Sequence, residues 1–520
     1  MKTGRTLTHR LHLKGELVAD SGLRVGSAAT DGILADLDVV RDLSGRLILP
    51  GTSLTGVLRD WARRAVTASD DRSPLSHAWA IAYGEDPEAA DGLVADDRPF
   101  ARGEGAAASL LTVHDATATE TIRVEVRDHV AIERQHNTAR DRGKYDAVVV
   151  PAGTRFQLHL VLEVRVEQEF EASLRLISGL AAALESGHLH LGAASSRGLG
   201  RVRLDDSSLT VEDLSTADGV LAALRARRTG VGFNRQERSD RPLEGADPVR
   251  VRIAWHALGS VLVRDGHEGL GVRTLPLTAT VGALRYLVLP GSSIKGALRA
   301  HAERIVRTVA RIETVAEDAE RSDLRLVDRL FGSARGTEKD SPGARSLLAV
   351  EDCYSEHGFT PEQWHAVAAA PDLVAGQIAA RALGVGQKVM PWAVARPHVA
   401  IDRWTGGASD QKLFSVLEPR GVSWGPVELR LDAAGLDEAE RLQAGALLLL
   451  ILRDLEAGDL PLGGLVNRGH GDLLIDEIAL TGAEVLGLAP DGPFSPTAFT
   501  PGEPMLAAWR DAATTQEVSA

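Results

Sequence analysis

The chain has one cysteine, Cys353, among its 520 residues. A lone thiol builds neither an internal disulfide framework nor a cysteine-rich zinc site, and it suits a reducing compartment such as the cytoplasm. Positive charge is also short: 58 Lys and Arg stand against 72 Asp and Glu, a net charge of −14. That excludes a generally basic nucleic-acid binder, so any polyanion site has to be a local concentration of Arg, Lys or His. Aromatic residues are 4% of the chain, which argues against reading bases by stacking across a sheet. The longest apolar run, Ala444 to Leu452, is about half of what a membrane span requires and contains Gly445. It reads as a buried helix, and no membrane partner is expected. Met1-Lys2-Thr3-Gly4-Arg5 has no apolar signal core behind it. A Gly-x-x-x-x-Gly-Lys-Ser/Thr phosphate loop is also missing, which argues against a nucleotide-using enzyme.

What the chain does have is an internal repeat. Leu47-Ile48-Leu49-Pro50-Gly51-Thr52-Ser53-Leu54-Thr55-Gly56-Val57-Leu58-Arg59 is matched by Leu287-Val288-Leu289-Pro290-Gly291-Ser292-Ser293-Ile294-Lys295-Gly296-Ala297-Leu298-Arg299. Each copy reads as a short strand broken by Pro-Gly, two hydroxyl residues of N-cap type, and an amphipathic helix. Backbone N–H groups at such a helix start suit a phosphate. Two further stretches recur. His129-Val130-Ala131-Ile132-Glu133-Arg134 matches His398-Val399-Ala400-Ile401-Asp402-Arg403, and both read as exposed β-hairpin arms. The first arm concentrates Arg127, Arg134, Arg140, Arg142 and Lys144. Leu191 to Gly200 matches Leu462 to Gly471 as Leu-Gly, four residues, then Arg-Gly-x-Gly. Glycine there permits close backbone approach, and Arg197 and Arg468 are natural phosphate partners.

Each half reduces to a βαββαβ plan. The expected fold is α+β: two tandem ferredoxin-like modules, of RNA-recognition-motif type, with insertions and arms. The first module spans 1–228, a linker 229–248, the second module 249–488, and a loosely ordered tail 489–520.

These stretches resemble the RAMP superfamily (repeat-associated mysterious proteins) of CRISPR-Cas systems, most closely the backbone subunits of type III effector complexes. Leu330-Phe331-Gly332-Ser333, followed by Leu347 to Asp352, adds to the likeness. Two fused modules resemble the tandem subunit of type III-D systems. The resemblance implies partners: guide (CRISPR) RNA, target RNA, other RAMP subunits and the large polymerase-like subunit. It implies thumb-like arms that wedge between nucleotides. The guide backbone would then be held by Gly51, Thr52, Ser53 and Arg59, and by Gly291, Ser292, Ser293, Lys295 and Arg299. Arg127, His129, Arg134, His398 and Arg403 on the arms, and Arg197, Gly198, Arg468 and Gly469 in the loops, complete the set.

In cleaving members of the family, an Asp on the loop before the Pro-Gly strand cuts the paired target RNA with a divalent metal. That Asp lies six residues before a second Asp. Here Asp36 is six residues before Asp42, with Pro50 following. The resemblance therefore implies a metal-dependent endoribonuclease with Asp36 catalytic, Asp38 next in line, and a divalent cation, Mg2+ by type, with Asp36 as its one candidate ligand. The corresponding stretch of the second module, Val272 to Gly282, has no carboxylate, so that module is expected to hold guide RNA without cutting. The first module has Thr55 where the second has Lys295. Two other readings use the same chain: a non-catalytic RNA scaffold, and a guide-processing endoribonuclease drawing on His129, His136, His188 or His190 as acid and base.

Overall fold

Alternation sets the first sheet. In His9–Ala19, Leu11, Leu13 and Leu17 are fully buried while Arg10, His12 and Lys14 face away from the core. The strand pairs antiparallel with Arg155–Val164 on one side and Val202–Asp213 on the other. Leu111–Val113 and Ala116–Ala118 extend the sheet past Arg155–Val164. Helices Gly51–Ala68 and Phe170–Glu185 bury Leu54, Leu58, Leu176 and Leu180 in the same core. The computed structural model describes residues 6–26, 35–85, 108–133, 138–229, 235–236, 238–245, 247–311, 324–333, 343–383 and 393–517.

The second sheet repeats the plan. Val249–Ala257 is central, between Val427–Leu431 and Leu473–Thr481, with Leu348–Val350 beyond Val427–Leu431. Gly291–Ala310 and Glu438–Glu456 are its helices, and the apolar run inside the latter is buried core. Each central strand carries a bulge, at Lys14/Glu16 and at Ala254/Trp255. The fold is α+β, two ferredoxin-like modules in tandem. Trimming one core leucine, such as Leu13 or Leu447, removes roughly 2–5 kcal/mol of stability.

Several local expectations are corrected. The N-cap residues are Pro50 and Pro290, not the hydroxyls, and the helices begin at the glycines, so Thr52, Ser53, Ser292 and Ser293 lie in the first turn. The insertion after the first helix holds a full helix, Arg72–Tyr83, ended by Gly84 at φ 77°. The linker packs on the first module: Arg235–Gln236 pairs with Val202–Asp213, and Leu243 is buried there. The tail is not loose. Gly492–Pro493 pairs with Leu473–Thr481, and Glu503–Glu517 is a helix whose Met505 enters the second core.

The modules are joined by specific contacts. The Thr280 N–H donates to Glu125 Oε1 at 2.7 Å, and Gly282 N–H to the Ala152 carbonyl at 3.0 Å. Glu351 lies between His190 Nε2 and Arg430 Nε, each at 3.0 Å. Burial opposes the Glu351 charge, but His190 and Arg430 bring its pKa down to about 2.

Candidate nucleic-acid interface

The two Pro-Gly turns are built around carboxylates. Gly51 N–H donates to Asp115 Oδ1 at 2.7 Å, and Gly291 N–H to Asp352 Oδ1 at 2.8 Å. A side chain at either glycine would meet a strand carbonyl, Val113 or Val350, at 2.2 Å. The glycines thus serve close packing, and their own N–H groups are taken up by these carboxylates. Arg59 and Arg299 are also committed. Arg59 pairs with buried Glu85 and lies over Trp79. Arg299 binds Asp328 at 2.8 Å, Glu303 at 2.9 Å and the Gly332 carbonyl. Both therefore tie helices together in this structure. Thr55 Oγ1 bonds back to the Gly51 carbonyl at 2.7 Å. Thr52 is exposed; Ser53, Ser292 and Ser293 are half-buried.

The glycine-rich loop of the first module seats on the turn of the second. Gly198, at φ 95°, is buried so closely that a side chain would lie 2.0 Å from Asp352 Oδ1. Val350 N–H donates to the Ser196 carbonyl at 3.3 Å. Arg127, at the base of the first arm, reaches Asp352 Oδ2 at 2.7 Å with both side chains buried. Burial works against the Arg127 charge; Asp352, with Tyr354 and Glu125, more than offsets it and holds the guanidinium above its ordinary value. Arg127, Gly198 and Gly291 are thus junction residues.

Arg197, beside Gly198, stays exposed. Around it gather Arg24, His129 and Lys295. Burial, then Arg197, Arg127 and Arg24, hold His129 at about 4. Burial, then Arg197 and Arg299, bring Lys295 to about 7, with its Nζ 2.5 Å from Ser346 Oγ. Burial and Arg197 lower Arg24, against Tyr145. Among the described residues, no carboxylate contributes to the shifts of Arg24 and Lys295. This is a locally positive cluster in a negative protein, the kind of field that attracts a phosphate.

Both arms are hairpins: Glu125–Glu133 with Thr138–Val149, and Ala393–Ile401 with Ala408–Pro419. Arg134 and His136 lie outside the described residues. His129 stacks on its cross-strand partner Tyr145 at 5.0 Å, and His398 on Phe414 at 5.4 Å. Arg468 lies 5.8 Å over the Phe414 ring, so the second module repeats the association of loop arginine, arm histidine and aromatic ring. His398 also contacts buried Glu418 at 3.2 Å. Gly469 is exposed, with nothing within 4 Å of where its side chain would be. The second arm's tip carries exposed Arg403 and Trp404, the latter 96% exposed, on a turn in which Asp402 Oδ1 accepts the N–H groups of Trp404 and Thr405.

Asp36 is exposed beside the first arm. Its N–H donates to Asp146 Oδ1 at 2.7 Å, and Asp146 N–H donates to Asp36 Oδ2 at 3.1 Å. Leu37 forms a parallel bridge with Ala147. Asp38 turns to its own backbone, accepting Val39 N–H at 2.7 Å. Asp42 accepts Ser44 and Arg46, which hold it at about 2 and fix the turn before the Pro-Gly strand. In the second module the equivalent parallel bridge is Thr274 with Val416, and Arg273 N–H donates to Ser415 Oγ at 2.9 Å. Arg273 therefore occupies the place of Asp36, and Ser415 that of Asp146.

Among the described residues no group of three His, Cys, Asp or Glu is arranged to hold a metal ion. One exposed carboxylate, Asp36, fits a hard cation whose other ligands are water and RNA phosphate. Sequence reasoning missed Arg24, Asp115, Tyr145, Asp146 and Phe414. The repeat of Leu110-Leu111-x-Val113-x-Asp115 in Leu347-Leu348-x-Val350-x-Asp352 was the available signal for Asp115. No described helix is long and apolar enough to cross a membrane.

Comparison with known proteins bears on this geometry. A Csm3 protein of Methanocaldococcus jannaschii, named as a CRISPR system endoribonuclease, is 25% identical over 226 residues, which cover 39% of this chain and 82% of that protein. The RAMP superfamily model matches residues 6–203 and 276–473, one match in each module. Matched twice, over the two halves that the sheets repeat, the chain belongs to the RAMP superfamily.

Proposed function

We propose that the chain is a backbone subunit of a type III CRISPR-Cas RNA-guided complex whose first module cleaves the target RNA paired with the guide. The observation that carries this reading is the asymmetry at one shared position. Asp36 stands exposed on a loop bonded to the first arm, and Arg273 stands at the same place in the second module. The name of the Methanocaldococcus relative supports RNA cleavage. Exposed Arg197, with Arg24 and Lys295 adding positive field behind it, would take a guide phosphate at the junction, with Arg468 and Arg403 continuing the path over the second module. Other RAMP subunits and the large polymerase-like subunit are the expected neighbours in the complex.

Asp36 has two chemical uses. Its carboxylate can accept the proton of a 2′-hydroxyl attacking the adjacent phosphate, or it can orient a hydrated Mg2+. When bound, that cation would neutralise charge at the phosphate. The guide-processing reading finds less support. His190 is buried against Glu351, His188 lies 3.5 Å from Asp247, and His129 is held neutral by burial and neighbouring arginines.

The test is a complex assembled on guide RNA and given target RNA, with product ends mapped. Asp36→Ala should abolish one cut and leave guide binding unchanged. Cutting at every position as in the parent chain contradicts the assignment.

A further inference from the structure

Both modules fasten the loop before the Pro-Gly strand to the arm by the same bond. A backbone N–H, of Asp36 or Arg273, donates to a side chain on the returning arm strand, Asp146 or Ser415. Ser415 Oγ in turn donates to the Gly271 carbonyl at 3.1 Å. A carboxylate in one module and a hydroxyl in the other accept the same donor, so the bond serves placement of the loop rather than a particular charge. In the first module the bond is reciprocated. Asp146 N–H donates to Asp36 Oδ2, so the carboxylate itself, and not only its backbone, is oriented. On either side, Leu37 N–H donates to the Asp146 carbonyl at 3.2 Å and Val148 N–H to the Leu37 carbonyl at 2.8 Å. The loop is thereby annealed to the arm as a short extra strand.

Resting on the reading of Asp36 as the cutting group, we propose that Asp146 is its positioning residue: it joins Asp36 and the arm into one body, so that the cut falls at a fixed distance from where the arm meets the RNA. The arm strand is itself tied down close by, with Lys144 Nζ 2.8 Å from Asp128 Oδ2 across the hairpin. Misplacing a catalytic group by about 1 Å costs on the order of 100-fold in rate.

The experiment uses the complete complex with guide and end-labelled target RNA. Single-turnover cleavage at the Asp36-dependent position and target Kd are measured together. Asp146→Ala, which removes the acceptor, should slow that cut at least tenfold with target Kd within about twofold. Asp146→Ser, which copies the second module, should cut within about threefold of the parent. A merely structural role would lower assembly and target binding along with the rate. Asp146→Ala cutting at the parent rate overturns the proposal, and so does an equal loss in the Ala and Ser variants. Asp36→Ala in the same assay separates the two claims. If it abolishes the cut while Asp146→Ala does not, only the positioning role fails; if it leaves the cut intact, the assignment of Asp36 fails.

Discussion

Arg127 of the first module and Asp352 of the second meet at 2.7 Å, with 5% and 1% of their side chains exposed. Asp352 also accepts the Gly291 N–H, so one carboxylate joins the first arm to the second Pro-Gly turn. Breaking a buried pair strands a charge, at a cost of roughly 3–5 kcal/mol. Arg127→Met should destabilise the chain by about that much, and the double variant Arg127→Met with Asp352→Leu should recover part of the loss, since replacing both charges removes the desolvation penalty. Chemical denaturation of the two variants beside the parent chain checks this.

Lys295 should make both stability and RNA binding depend on pH. Its pKa is about 7 in the folded chain against an ordinary 10.5. Between those values the unfolded chain carries more protons, so this group's contribution to stability rises with pH there; below about 7 it is constant and least favourable. Lys295→Met should remove that slope from the pH dependence of the denaturation midpoint. A guide phosphate beside Arg197 would raise the Lys295 pKa again, so guide binding at pH 8 should take up a proton. Calorimetry in buffers of different ionisation heat reads that uptake, and Lys295→Met should abolish it.

Trp404 stands almost fully exposed at the tip of the second arm, held there by Asp402. Stacking on a base is worth ~1–3 kcal/mol. Trp404→Ala should therefore weaken RNA binding by the assembled complex by roughly 5- to 150-fold while leaving the denaturation midpoint unchanged. Binding titrations against the parent complex decide it.

The repeat made the fold readable. Period-two alternation in His9–Ala19 and helical spacing after Pro50 are local signals, and their recurrence identified two modules. The roles of individual residues were less readable because they depend on partners distant in sequence. In the sequence Arg59 reads as a phosphate ligand and Gly198 as a ligand-facing glycine; in the fold Glu85 lies beside the first and Asp352 against the second. The absence of a carboxylate from Val272 to Gly282 was visible. The register placing Arg273 at the position of Asp36 was not, because it is set by strand pairing with the arm.

On the proposed function, the modules differ in cutting because one position holds Asp36 in the first and Arg273 in the second. The direct measurement maps target-RNA cuts made by a complex carrying Asp36→Ala and Arg273→Asp together. The original cut should disappear and a new one should appear displaced by one module along the target. Persistence of the original cut in that double variant would contradict it.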